Sequence, residues 1–186
     1  MNNPEVSGHA GWGPGGSPDG VPGDTSCAPA SDLIEMMADR RLSIAVAESL
    51  TGGLLVAELI RTPGASRVVR GGLVAYGTSF KKSLLGVSVD LLAHCGPVHP
   101  EVACQMAEGV RSLFAVDGVA AAIGVSTTGV AGPDFLDGFP PGTAFVGISV
   151  GGDARAIELA LSGTRDQICA EVVARAVQFI TDEVND

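Results

Sequence analysis

Basic residues are scarce in this chain, with 11 Lys and Arg against 21 Asp and Glu and a formal net charge of −10. They are scattered rather than clustered, so no cationic stripe exists for a phosphodiester backbone, and nucleic acid is not an expected partner. Aromatics make up only 4% of the chain while 46% is hydrophobic, which points to an aliphatic core. The four cysteines, Cys27, Cys95, Cys104 and Cys169, contain no CxxC pair, which argues against a disulfide framework or a zinc ribbon. His94, Cys95, His99 and Cys104 lie close in sequence, but their spacing fits no common zinc pattern, so no metal is expected. Also missing are an apolar run of membrane-spanning length and a basic segment followed by an apolar one near the N-terminus. Those absences point to a cytoplasmic protein without a membrane partner. An anionic small molecule stays compatible with the charge, because backbone N–H groups at a helix start can hold one.

What the sequence does contain divides at about residue 30. Residues 1–30 hold seven Gly and five Pro and few charges, a composition that predicts a disordered tail, with Trp12 as its one large aromatic. From 31 to 186 the pattern becomes regular and predicts a single α/β domain with a mixed β-sheet flanked by helices. Ser31 caps a helix to about Arg41, and Ser43–Ala47 reads as a short buried strand. A helix over 52–61 follows, stopped by Pro63 and Gly64. Val68–Tyr76 reads as a strand whose Gly71-Gly72 pair suggests a bulge or a close backbone approach. A short helix starts at Thr78, a connecting stretch follows, and Pro100 opens an amphipathic helix. The apolar run Val119–Val125 predicts a strand covered on both faces, and two further strands at about 143–150 and 155–161 form a hairpin across "GGDA". Thr164 and Gln167 stand at capping-box spacing before the last helix.

Three segments carry candidate chemistry, each at the C-terminal end of a predicted strand, where open α/β sheets place their ligand crevices. In "AESLTGG" both Ser49 and Thr51 can cap the following helix, which leaves one hydroxyl over. Gly52 and Gly53 would let a substrate approach, with their N–H groups facing an oxyanion, and Thr51 beside them is expected to contact the substrate as well. A serine needs a base, and no histidine falls at a strand end, so Lys81 is the candidate: it lies in the first turn of a helix fed by an apolar strand. Tyr76, the only tyrosine, closes that strand and could hold or relay the serine proton. Lys82, about 100° further round the helix, is the natural control. The third segment, "TGVAGPDFLDGFPPGT", is long for a connection and rich in Gly and Pro, which favours binding over simple linkage.

In order and spacing, "AESLTGG", "GLVAYGTSFKKSLLGV", "TGVAGPD" and "PPGTAFVGI" resemble the C-terminal domain family of the competence-damage-inducible protein CinA. The resemblance covers roughly 31–184. It implies a nicotinamide-nucleotide amidohydrolase that converts nicotinamide mononucleotide to nicotinic acid mononucleotide and ammonia, without a cofactor. It also implies Ser49 as nucleophile, Tyr76 and Lys81 as its catalytic partners, and a substrate pocket including Thr128, Gly129, Ala131 and Gly132. A homo-oligomer, such as a dimer, is the assembly it suggests. Full-length CinA proteins carry a larger N-terminal domain, so a stand-alone form is expected here. Two departures stand out: Leu50 where many members have Cys, and Gly163-Thr164-Arg165 where "GDR" is common, which removes a carboxylate while keeping a helix cap. The rival expectations are a nucleotide-binding or regulatory module of the same fold, and a serine amidase for another amide.

Overall fold

The computed structural model describes residues 30–186, so the predicted tail, with Trp12 and Cys27, lies outside the described residues. The elements run α1 (Ala30–Asp39), β1 (Ile44–Glu48), α2 (Leu54–Ile60), β2 (Val69–Val74), α3 (Thr78–Leu85), α4 (Val89–Cys95) and α5 (Pro100–Leu113). They continue with β3 (Ile123–Gly129), β4 (Thr143–Val150), β5 (Asp153–Ala160) and α6 (Arg165–Asn185). The five strands form one sheet in the order β2-β1-β3-β4-β5. β1 pairs in parallel with β2 and β3, whereas β3-β4 and β4-β5 are antiparallel, so the sheet is mixed.

Strand alternation sorts the core into two layers. Ile44 and Val46 of β1 join Ile123, Val125 and Val146 in one cluster under α1, α2 and α6. Ala45 and Ala47 face the other way, against Val102, Met106 and Val110 of α5 and Leu85 of α3. Every residue of β1 is buried. Those small alanines meet a helix that comes unusually close: a Cβ on Gly124 would collide with the Ala107 carbonyl of α5, and one on Gly147 with that of Ala103.

Two sequence expectations shift. The connecting stretch after Gly86 contains α4, capped by the Ser88 hydroxyl, which accepts from Leu91 N–H at 3.3 Å. β3 begins at Ile123 rather than Val119 because Val116 and Val119 pair across a tight turn through Asp117 and Gly118. It then continues through Ser126, Thr127 and Thr128, polar residues whose hydroxyls are all bonded internally. Of the two readings of Gly71-Gly72 the bulge holds, while the close approach is made by side chains rather than by another backbone. The β1-β2 register slips beside Gly71, and a Cβ on Gly71 would strike the Phe114 ring. The hairpin across Gly151-Gly152 and the capping box of Thr164 and Gln167 form as the sequence indicates.

Candidate active site

The chain leaves β1 toward β2 on one side and returns through α3–α5 to β3 on the other, so β1 and β3 flank the point where the strand order reverses. Open sheets bind ligands beyond the C-terminal strand ends at such a point. There a cleft of about 840 Å³ is lined by Ser49, Tyr76, Lys81, Arg165, the wall from Leu92 to Val98 and the segment Thr128–Asp137.

Ser49 follows β1 directly, held by its N–H donating to Thr127 O at 3.0 Å. Its side chain is not a helix cap. The cap position of α2 is Gly53, with φ 105°, and the exposed N–H groups of that helix go to Glu48 instead. The Glu48 carboxylate, wholly buried, accepts from Gly53 N–H (3.0 Å), Leu55 N–H (3.0 Å), Val56 N–H (2.8 Å) and the Thr51 hydroxyl (2.6 Å). An anion at a helix N-terminus is favourable, and here the chain supplies its own. That frees the Ser49 hydroxyl, which stands 2.8 Å from Lys81 Nζ.

Lys81 is the largest fully buried side chain among the described residues, 1% exposed. Its Nζ also donates to Ala75 O at 2.7 Å, and among the described residues no carboxylate pairs with it. Burial without a counter-charge disfavours the ammonium and lowers its pKa from 10.5 to about 8. A substantial neutral fraction therefore exists near pH 8, and at hydrogen-bond distance a neutral amine can accept the Ser49 proton. Lys82, the next residue, is exposed.

Tyr76 lines the cleft but is 63% exposed, and its hydroxyl accepts from Arg165 at 3.3 Å. The bonded pair is Ser49 with Lys81, so the proton needs no relay through Tyr76. Thr128, Gly129, Ala131 and Gly132 all line the cleft, the Thr128 hydroxyl donating to Pro97 O at 2.7 Å. Thr51, Gly52 and Gly53 do not, which corrects their expected substrate role. Thr51 is buried between Glu48 and Thr127. The Gly52 N–H is taken by Ser49 O at 3.2 Å and that of Gly53 by Glu48, so neither faces an oxyanion. The N–H groups of Leu50 and Thr51 have no acceptor among the described residues, and Leu50 lines the cleft.

Sequence reasoning assigned no role to Glu48 or Arg165. An acid ending the apolar strand IAVAE just before a helix was the available signal for the first. For the second, the signal was a basic residue opening the last helix. Among the described residues no group of three or more His, Cys, Asp or Glu could hold a metal ion, and no helix is long and apolar enough to cross a membrane.

The family model described as the CinA C-terminal domain matches residues 27–184. A protein of Geobacillus kaustophilus bearing the name competence-damage inducible protein is 48% identical over 136 residues, 73% of this chain and 32% of that protein. A Clostridium novyi protein of the same name is 39% identical over 153 residues, 82% of this chain and 36% of that one. The chain thus spans about a third of the length of the curated relatives it matches. Among solved structures, the competence/damage inducible protein CihA of Agrobacterium tumefaciens superposes with a TM-score of 0.77 at 29% identity, covering 84% of this chain and 93% of that one. A CinA superfamily protein of Enterobacter cloacae does so with 0.79 at 25%, covering 91% and 99%.

Proposed function

The chain belongs to the CinA C-terminal domain family, and on that premise we propose that it hydrolyses the carboxamide of nicotinamide mononucleotide to nicotinic acid mononucleotide and ammonia. The observation that carries the reading is the 2.8 Å contact between Ser49 Oγ and a buried, carboxylate-free Lys81. In this mechanism neutral Lys81 takes the Ser49 proton as Oγ attacks the carboxamide carbon. The N–H of Leu50, on the residue after the nucleophile, stabilises the oxyanion, as a donor in that position does in other serine hydrolases. The C–N bond then breaks, Lys81 returns its proton to the leaving nitrogen, and ammonia departs. Water, deprotonated by Lys81, attacks the acyl-serine ester, and the carboxylate product and the free hydroxyl are released. Tyr76 stands beside this exchange on the residue after Ala75, whose carbonyl anchors Nζ.

Ammonia release from nicotinamide mononucleotide tests the reading. Wild type and Lys82→Ala are expected to turn over alike, while Ser49→Ala and Lys81→Ala lose on the order of 10³-fold or more, as removal of a nucleophile or its base does. Binding of the nucleotide without turnover by wild type would favour the regulatory module instead. Turnover of pyridine carboxamides lacking ribose phosphate, in preference to the nucleotide, would point to another amidase.

A further inference from the structure

We propose that Arg165, with the Tyr76 hydroxyl beside it, is the phosphate-binding end of the cleft. Apart from Lys81, which is engaged at the nucleophile, Arg165 is the only Lys or Arg among the described residues that line that cleft. Its Nη1 donates to Gly132 O at 2.9 Å and its Nη2 to the Tyr76 hydroxyl at 3.3 Å. A guanidinium has five N–H donors, so three remain. Because the Tyr76 oxygen accepts from Arg165, its own proton is left to donate.

None of the described ion pairs involves Arg165, so among the described residues no carboxylate lies within 4 Å of it. The positions around it account for this. Thr164, just before it, is an uncharged cap occupied with Gln167, and Asp166, just after it, does not line the cleft. Asp134 and Asp137 do line it, Asp137 lying against Gly96 on the α4–α5 connection. A planar cation with a free edge, oriented at two points and not neutralised, suits bidentate recognition of a phosphate. The same cleft contains the Ser49–Lys81 pair, and Tyr76 adjoins Ala75, so one small ligand can engage both ends. This deepens the nucleotide reading above and rests on it for the identity of the group that carries the phosphate.

Calorimetric titration separates the two claims. On a Ser49→Ala background, which prevents turnover, nicotinamide mononucleotide, nicotinamide riboside and ribose 5-phosphate are titrated into Arg165, Arg165→Met, Arg165→Lys and Arg175→Ala forms. Arg175 opens the same charge difference on α6 but pairs with Glu171 away from the cleft. Expected is a loss of about 10- to 100-fold in affinity for the two phosphorylated ligands in Arg165→Met, the range for a charge-assisted pair. Arg165→Lys should recover part of it, and riboside affinity and the Arg175→Ala form should stay unchanged. An equal loss for riboside and mononucleotide would make Arg165 a structural strap and overturn the inference. So would undiminished phosphate-ligand binding in Arg165→Met. If the mononucleotide fails to bind while ribose 5-phosphate binds in an Arg165-dependent way, the anion site stands and the nicotinamide reading falls. If neither phosphorylated ligand binds, the anion site falls as well.

Discussion

At the scale of single residues, the site rests on two buried charges handled in opposite ways. Glu48 is surrounded by donors, three N–H groups and a hydroxyl, so its charge is met by hydrogen bonds. Lys81 has two oxygens as partners and no opposite charge, so burial acts on it as a penalty on the ammonium. The rate consequence is an acid limb: kcat/KM for nicotinamide mononucleotide should rise with pH and level off above an apparent pKa of about 8. A profile flat from pH 6 to 9 would remove Lys81 as the base. Stability carries the same shift with a definite sign. Because the folded pKa lies below the unfolded one, the unfolded chain holds more protons between about 8 and 10.5, and wild type gains stability as pH rises through that window. Relative to Lys81→Met, which cannot titrate, the gain should approach roughly 3 kcal/mol by pH 10.5, at 1.36 kcal/mol per pKa unit. Chemical denaturation of both proteins at pH 7, 9 and 10.5 measures it, and a constant difference would show that Lys81 is not deprotonated more readily in the folded state.

Elements explain why some of this was legible in the sequence and some was not. The Ser49 and Tyr76 positions could be read because each closes a short apolar run, whose ends periodicity locates, and Lys81 because it lies in the first turn of the helix that the second run feeds. The cap of α2 could not, because Ser49 and Thr51 are ordinary capping residues and only the three-dimensional turn reveals that Glu48 reaches the helix start first. The polar end of β3 was hidden for a similar reason: Ser126, Thr127 and Thr128 look like loop until their bonding partners on α5, α2's approach and the α4–α5 connection are seen. Glycine was ambiguous too. Gly124 and Gly147 lie inside runs that read simply as strands, and only the structure shows that they are where α5 lies against the sheet. That contact is reinforced on α5 by Ala103, whose carbonyl accepts from Ser126 on β3 at 2.6 Å. Gly124→Ala should therefore lift α5 from the sheet and lower unfolding free energy by about 3 kcal/mol, toward the upper range for overpacking. An exposed turn substitution, Gly151→Ala, meets nothing within 4 Å but carries a φ of 61°, so its cost is confined to about 1 kcal/mol of backbone strain. Urea melts of the two variants rank the effects, and equal costs would mean that the helix is free to move away.

Across the whole molecule, the cleft gathers groups from both faces of the sheet: Lys81 from α3, which packs with α5, and Arg165 from α6, which covers the opposite layer with α1 and α2. In that region α6 is bridged to the rest of the cleft by the Arg165 bonds to the Tyr76 hydroxyl and the Gly132 carbonyl and by the Cys169 thiol, which donates to Leu50 O. A ligand held at Ser49 and at Arg165 would add a further bridge, and its binding free energy then appears as stability of the entire domain rather than of one loop. At 100 times its Kd, a ligand that binds only the folded state adds about 2.7 kcal/mol. For a domain of this size that corresponds to a melting-temperature rise of roughly 5–10 °C. Ser49→Ala titrated with nicotinamide mononucleotide should show that rise, with amide-exchange protection increasing together in α3 and in the first turns of α6. Protection confined to the segment 130–137, with α6 unchanged, would mean that the ligand sits on the loop alone and that the two layers are not joined through it.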